Sequence, residues 1–157
     1  MQDLRKQFWT TILEMAKVDK DIIVLVGDLG FSFVEKFQKE LPDQFINCGI
    51  AENNMIGVAC GLAITGKKPY IYSNTIFLIM RAYEFVRDDI CYNNLNVKLI
   101  GTGASGFLGF SHNILNNENA EDLLKNLPNI KSQYPKNENE LNKVLLNKNN
   151  YPEFIQI

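Results

Sequence analysis

The sequence is poor in several features that mark particular classes of protein. Its 157 residues include one histidine and three cysteines, and the cysteines lack the paired spacing of a metal site. An odd number of unpaired cysteines favours a reduced, cytoplasmic chain. Apolar runs stay well short of the roughly 18 residues that a membrane span needs. No uninterrupted apolar core follows the first charged residues, as it would in a signal peptide. We therefore expect no membrane partner.

The chain also lacks a strong excess of charge of either sign. The net charge is −2, and charged residues make up 22% of the chain against 46% for hydrophobic residues. These values are typical of one globular domain with a core, and they supply neither a basic patch nor an acidic tail. Nucleic acid is therefore not an expected partner.

Short β-branched runs alternate with helical patterns along the chain, without an internal repeat. Strands are predicted at 22–28, 45–49, 69–73, 97–102, 129–135 and 153–157. Helices are predicted at 3–18, 34–41, 53–65, 75–92 and 137–148. The alternation predicts one three-layer α/β/α domain over residues 1–157, with a mostly parallel sheet of about six strands.

Glu52 stands at the start of the helix after the second predicted strand, where parallel sheets bind ligands. An acid in the first turn is favoured by the helix dipole by less than about 1 kcal/mol, and this alone could explain it. However, Gly57 and Gly61 lie four residues apart, as do Ala59 and Ala63. Each glycine costs up to about 1 kcal/mol relative to alanine in a helix. Such small residues predict packing against another subunit, with Glu52 desolvated there and able to share a proton.

A loop rich in Gly, Ser and Asn is predicted from Gly103 to about Asn119. Connections in such folds usually have about two to six residues, and much longer ones are often functional. Because the loop follows a predicted strand, it lies at the same sheet edge as Glu52. The loop and the glutamate together form a candidate site.

Residues 48–73, CGIAENNMIGVACGLAITGKKPYIYS, resemble the pyrimidine-binding domain of the transketolase-like, thiamine diphosphate-dependent enzymes. The family pattern is Gly-x-Ala-Glu-x-x-Met-x-Gly-x-Ala-x-Gly-Leu-Ala followed by Gly-x-x-Pro, and each fixed position is matched. The resemblance continues through RAYEFVRDDICYNNLNVKLI and EDLLKNLPNI and covers nearly the whole chain. It implies the thiamine diphosphate-binding pyrimidine-domain fold.

The resemblance also implies cofactor contacts for Glu52, Phe77, Asp28 and Arg81. The glutamate matches the one that hydrogen-bonds a ring nitrogen of the aminopyrimidine and favours the imino tautomer, which then deprotonates the thiazolium carbon. Phe77 matches the aromatic that stacks on that ring, with core packing as the alternative. Asp28 would help to position the cofactor, with a helix cap as the alternative.

Substrate contacts are implied for His112, Arg5 and Ser32. Ser111-His112 resembles the Thr/Ser-His of a family loop in which the histidine faces substrate and shuttles protons, so His112 is a candidate catalytic residue. A solvated loop histidine is the alternative. Arg5 and Ser32 match positions that hold a sugar phosphate, with a surface arginine and a turn serine as alternatives.

Some family residues are replaced. Leu108 stands where the family has an acid, and Gly103 where sugar-transferring relatives have a histidine. A third phosphate ligand, an arginine, falls near Gln156 and is absent. These replacements leave the substrate open.

The Gly-Asp-Gly motif and asparagine ligands of the family's diphosphate-binding domain are absent, and we expect no further domain after residue 157. The resemblance therefore implies half of a split enzyme, inactive alone. A larger partner chain would hold the diphosphate and Mg²⁺ in an α₂β₂ heterotetramer.

The leading hypothesis is transfer of a two-carbon ketol unit to an aldehyde or ketone sugar. The alternatives are decarboxylating acyl transfer from a 2-oxo acid such as pyruvate, and a non-catalytic stabilising subunit.

Overall fold

The computed structural model describes residues 3–103 and 120–157. The α-helices are α1 (Arg5–Val18), α2 (Val34–Glu40), α3 (Glu52–Ile64), α4 (Tyr83–Phe85), α5 (Ala120–Leu124) and α6 (Glu138–Leu145). The strands are β1 (Ile22–Val26), β2 (Phe45–Asn47), β3 (Lys68–Asn74), β4 (Lys98–Thr102), β5 (Lys131–Gln133) and β6 (Glu153–Gln156). A 3₁₀ turn spans Pro42–Gln44, and π-helices span Phe77–Arg81 and Val86–Tyr92. None of the helices in these two ranges is long and apolar enough to cross a membrane.

The strands form one six-stranded sheet in the order β2-β1-β3-β4-β6-β5, and each neighbouring pair is parallel. Val26 of β1 pairs with Tyr72 of β3, and Ser73 of β3 pairs with Gly101 of β4. The predicted parallel sheet of about six strands is confirmed.

Two hydrophobic cores cover the two faces of the sheet. The first core joins Ile23 and Leu25 of β1 to α3, the π-helices and α5. The second core joins Ile22, Val24 and Val26 of the same strand to α1, α2 and α6. Since successive side chains of a strand point to opposite faces, a strand buried on both sides needs the continuous apolar run that this segment has. The three-layer α/β/α architecture is confirmed.

The helix predicted at 75–92 is not one regular α-helix. Two π-helices flank the short α4, and Ala82 between them has φ −101° and ψ 16°, outside the α-helical region. A second difference is α5, which the sequence did not predict as a helix. Turns of the π type are rare and often occur at functional sites.

The sheet order reverses next to β1. The strand β2 lies on one side of β1, whereas β3 and β4 continue on the other. Parallel sheets bind ligands at such a reversal, outside the carboxyl ends of the two strands that flank it. Here those ends lead into Gly27 and Asp28 after β1 and into Thr75 after β3.

Candidate functional site

Glu52 lies at the junction of β1, β2 and α3. It is the first residue of α3 and only 1% exposed. The chain turns from β2 into the helix at Gly49, whose φ of +69° lies in the left-handed region that glycine adopts without strain. A Cβ added at Gly27 would lie 3.5 Å from the carbonyl oxygen of Gly49 and 3.9 Å from Glu52 Oε1. The carboxylate is therefore enclosed by backbone at the sheet edge.

Arg81 neutralises the buried carboxylate. Its Nη1 donates a hydrogen bond to Glu52 Oε2 at 2.9 Å, and its side chain is 43% exposed. A carboxylate removed from water is costly unless a charged partner compensates it, and this contact supplies that compensation. An acid that merely favoured the helix dipole would not need such burial.

Phe77 lies one π-helical turn before Arg81 and contacts the same guanidinium. The Arg81 Cζ is 4.5 Å from the centre of the Phe77 ring, within the range of a cation–π contact. The ring is half-buried rather than part of the closed core. Glu52, Phe77 and Arg81 thus form one cluster, which we call the Glu52 cluster.

Asp28 is tied to Asn47 across the ends of β1 and β2. The Asp28 N–H donates to Asn47 Oδ1 at 3.1 Å, and Asn47 Nδ2 donates back to Asp28 Oδ1 at 3.1 Å. The same Asn47 oxygen accepts the Gly49 N–H at 2.9 Å. The alternative role of Asp28 as a helix cap is wrong, since α2 begins at Val34 after Phe33.

Asn47 was missed by sequence reasoning. Its signal is a polar amide directly after two apolar residues at the carboxyl end of a strand. The three hydrogen bonds of its side chain to Asp28 and Gly49 fix the turn that leads to Glu52.

Arg5 and Ser32 belong to the opposite face of the sheet. The Arg5 guanidinium lies 5.2 Å from the centre of the Phe33 ring and forms an ion pair of 2.7 Å with Asp3. The hydrogen bond from Arg5 lowers the pKa of Asp3 to about 2. The Ser32 N–H donates to Glu35 Oε1 at 2.9 Å, and Ser32 adopts a φ of 74°. Because Phe33 packs against the second core, both residues lie near α1 and α2 and apart from the Glu52 cluster.

His112, the predicted substrate-facing histidine, lies outside the described residues, as does Leu108. Gly103 is described and follows β4 with a φ of 73°.

The exposed face of α3 carries Asn53, Gly57, Gly61 and Ile64. Among the residues that the structure describes, no atom outside the helix's own backbone lies within 4 Å of a Cβ added at either glycine, and Ile64 is 73% exposed. Ala59 is fully buried in the first core, so the prediction that it belongs to a subunit-packing surface was wrong. We call these four exposed residues the α3 stripe. Its two glycines leave the helix backbone exposed.

A buried ion pair at the other end of the sheet was also missed. Lys98 Nζ lies 3.5 Å from Glu153 Oε2, and both side chains are at most 7% exposed. Asn149 and Gln133 donate to the two carboxylate oxygens, at 2.9 Å and 3.2 Å. Burial lowers the pKa of Lys98, and the nearby Glu153 opposes that shift. The pair lies at the amino ends of β4 and β6, away from the ligand edge.

The Glu52 cluster fits the aminopyrimidine end of thiamine diphosphate. That ring is flat and carries an amino donor, so a carboxylate can accept from it and an aromatic face can stack on it. Arg81 contacts Glu52 and Phe77 at once, so a flat, nitrogen-bearing group reaches both from one position.

Comparison with known proteins identifies the family of the chain. The family model "Transketolase, pyrimidine binding domain" matches residues 1–154. The chain is 35% identical over 157 residues to a subunit of the apulose-4-phosphate transketolase of Phocaeicola vulgatus, covering 98% of the chain and 49% of that protein. It is 40% identical over 131 residues to 1-deoxy-D-xylulose-5-phosphate synthase of Bacillus cereus, covering 83% of the chain and 20% of that protein.

A solved structure described as a split gene transketolase, inactive beta4 tetramer, superposes with a TM-score of 0.85 at 32% identity. The match covers 97% of this chain and 50% of that one. The chain thus spans about half the length, or less, of the proteins it matches. On the strength of the family match over nearly all its residues, the chain belongs to the transketolase pyrimidine-binding domain family.

Proposed function

We propose that this chain is the pyrimidine-binding subunit of a two-chain, thiamine diphosphate-dependent, transketolase-like enzyme. The reaction proposed is transfer of a two-carbon ketol unit to an aldehyde or ketone sugar. The observation that carries the proposal is the carboxylate of Glu52, which is 1% exposed and directed at the guanidinium stacked on Phe77. The relative that is itself one subunit of a transketolase supports the division into two chains.

In this proposal Glu52 holds a proton at a ring nitrogen of the aminopyrimidine, and Phe77 orients the ring by stacking. The bridge between Asp28 and Asn47 keeps the neighbouring turn rigid, so that the carboxylate is preorganised. When bound, thiamine diphosphate supplies a carbon nucleophile and an electron sink. The diphosphate and Mg²⁺ are assigned to the partner chain.

The α3 stripe is the proposed contact with the partner chain in an α₂β₂ heterotetramer. Gly57 and Gly61 leave the helix backbone open to close approach, and the exposed Ile64 adds apolar area. Because Glu52 begins the same helix, a chain packed there would lie beside the buried carboxylate.

Glu52→Gln tests the catalytic role. With the partner chain present, we expect the variant to fold normally and to lose about 100-fold or more of the ketol-transfer rate, because a neutral amide cannot exchange the proton. Glu138→Gln is the matched control, since Glu138 is likewise the first residue of a helix but is exposed. Near-normal turnover by Glu52→Gln would contradict the proposal.

A second candidate is decarboxylating acyl transfer from a 2-oxo acid, favoured by Gly103 where sugar-transferring relatives have a histidine. A donor screen on the two-chain complex, with pyruvate against ketose phosphates, separates the two reactions. A complex that binds thiamine diphosphate no better than the partner alone would instead indicate a stabilising subunit.

A further inference from the structure

Arg81 makes two contacts that the cofactor ring would also need. Its guanidinium hydrogen-bonds Glu52 Oε2 at 2.9 Å and lies 4.5 Å from the centre of the Phe77 ring. A guanidinium is flat, presents several N–H donors and stacks on aromatic faces. An aminopyrimidine is likewise flat and stacks on aromatic faces, and it donates through its amino group and, when protonated, through a ring nitrogen. While Arg81 covers the Phe77 ring and holds Glu52 Oε2, a pyrimidine cannot take the same ring face and the same oxygen.

We propose that Arg81 is a built-in competitor for the aminopyrimidine site: its guanidinium occupies the ring's position in the cofactor-free chain and leaves when the cofactor enters. The inference rests on the proposed function. It differs from a ligand role for Arg81, which the family resemblance implies, because a competitor weakens cofactor binding and a ligand strengthens it.

The surroundings of Arg81 permit this exchange. Its side chain is 43% exposed, and Glu52 is its one ion-pair partner among the described residues. Within the described ranges, the departure of Arg81 therefore breaks one charge-assisted hydrogen bond and one ring contact. Glu52, by contrast, is only 1% exposed and stays where it is.

The exchange also explains how the cofactor-free chain tolerates Glu52. A buried carboxylate without a partner is strongly unfavourable, and Arg81 supplies the partner until the ring arrives. The observed affinity for the cofactor is then the intrinsic affinity multiplied by the fraction of chains in which Arg81 has left the site. To displace Arg81, a ligand must stack on the Phe77 ring and also hydrogen-bond the Glu52 carboxylate.

Arg81→Met in the two-chain complex tests the proposal. Methionine keeps an unbranched side chain and removes the charge and the planar group. Titration calorimetry with Mg²⁺ and thiamine diphosphate should give a Kd about tenfold lower than in the wild type, as expected for removing one half-exposed, charge-assisted competitor. Arg87→Met is the matched control, because that side chain is 46% exposed and paired with Glu84 at 3.0 Å. The Kd of the Arg87→Met complex for thiamine diphosphate should equal that of the wild type.

A fragment experiment isolates the end of the cofactor that this chain holds. The probe is the hydroxymethyl aminopyrimidine without thiazolium or diphosphate, which should also bind more tightly to the Arg81→Met complex. Methylguanidinium ion should compete with this fragment in the variant, where it can refill the site, and should have little effect in the wild type. Arg81→Gln serves as a second variant where Arg81→Met lowers the thermal midpoint.

The outcomes separate the two proposals. Equal or weaker binding of cofactor and fragment by both Arg81 variants, in a complex whose wild type binds them, overturns the competitor role alone. A wild-type complex that binds neither ligand overturns the proposed function, and the competitor role with it.

Discussion

Replacing Gly57 and Gly61 by alanine should stabilise the chain and weaken its assembly. Both lie inside the 13-residue α3, and neither is among the glycines with positive φ. In the described part of the chain, an added Cβ meets no atom of another element within 4 Å at either position, so no strain offsets the gain in helix propensity. That gain is about 1 kcal/mol for each glycine.

The two gains should add to about 2 kcal/mol in the free energy of unfolding, because the added methyls share no contact partner. For a chain of this size the midpoint of thermal unfolding should rise by about 4 to 8 °C. Urea unfolding and thermal melts measure this, at concentrations where sedimentation gives a single species. Asn139→Ala on the exposed face of α6 is a propensity control away from α3.

The same methyl groups should weaken the binding of the partner chain. Overpacking a close interface by small-to-large changes costs about 1 to 3 kcal/mol, or about 5- to 150-fold in affinity. Sedimentation or calorimetric titration with the partner chain measures the change. Unchanged affinity together with the expected stabilisation would refute the proposal that the α3 stripe packs against another chain.

Gly101→Ala provides the opposite control. A Cβ there would lie 2.6 Å from Thr75 Oγ1 and 2.7 Å from the Phe154 ring, inside the first core. We expect destabilisation by about 1 to 3 kcal/mol, since both neighbours are buried and tightly packed. This shows that the stabilisation predicted for Gly57 and Gly61 depends on their exposure and is not general to glycine in this fold.

Two further predictions concern buried titratable groups. Lys98→Met should lower the free energy of unfolding by about 3 to 5 kcal/mol, because Glu153 keeps a buried, unpaired charge, and adding Glu153→Leu should recover much of the loss in urea unfolding. If the double variant is less stable than Lys98→Met, the unpaired charge of Glu153 does not cause the destabilisation. Burial raises the pKa of Tyr70 to about 12 from its ordinary value of 10.0. The unfolded chain loses the Tyr70 proton near pH 10, before the folded chain does. The stabilisation linked to the neutral phenol is therefore full below pH 10 and is lost as pH rises toward 12. Tyr70→Phe should flatten that decline in urea unfolding at about pH 9 and pH 11; an equally steep decline in the variant would contradict the assignment.

Local sequence patterns predicted the parallel sheet, because short apolar runs such as β1 alternate with periodic helices such as α1. The burial of all five residues of β1 follows from an uninterrupted apolar run. Patterns of this kind do not report long-range partners. The pairing of Lys98 with Glu153 spans strands far apart in the chain, and the bridge between Asp28 and Asn47 spans 19 residues.

The site was predictable in part. Glu52, Phe77 and Arg81 were selected by the family resemblance, and the structure brings them together. That Arg81 satisfies the carboxylate could not be read from sequence, since it depends on the π-helical turn that aligns Arg81 with Phe77. The face of Ala59 was mispredicted because spacing alone does not tell which side of a helix meets the core.

Glu52 and the α3 stripe lie on the same helix, and whether cofactor binding and assembly are nevertheless independent can be tested. Glu52 begins the helix whose exposed face carries Gly57 and Gly61, but the alanine changes do not touch the Glu52 cluster. At saturating partner chain, the double alanine variant should therefore bind thiamine diphosphate with wild-type affinity, although it needs more partner to assemble. Arg81→Met should do the reverse, leaving cofactor-free assembly unchanged and tightening cofactor binding. Calorimetric titrations at fixed partner excess measure both. If the alanine changes shift cofactor affinity in the saturated complex by more than about threefold, the two surfaces are not separable as argued, since distant, independent sites act additively.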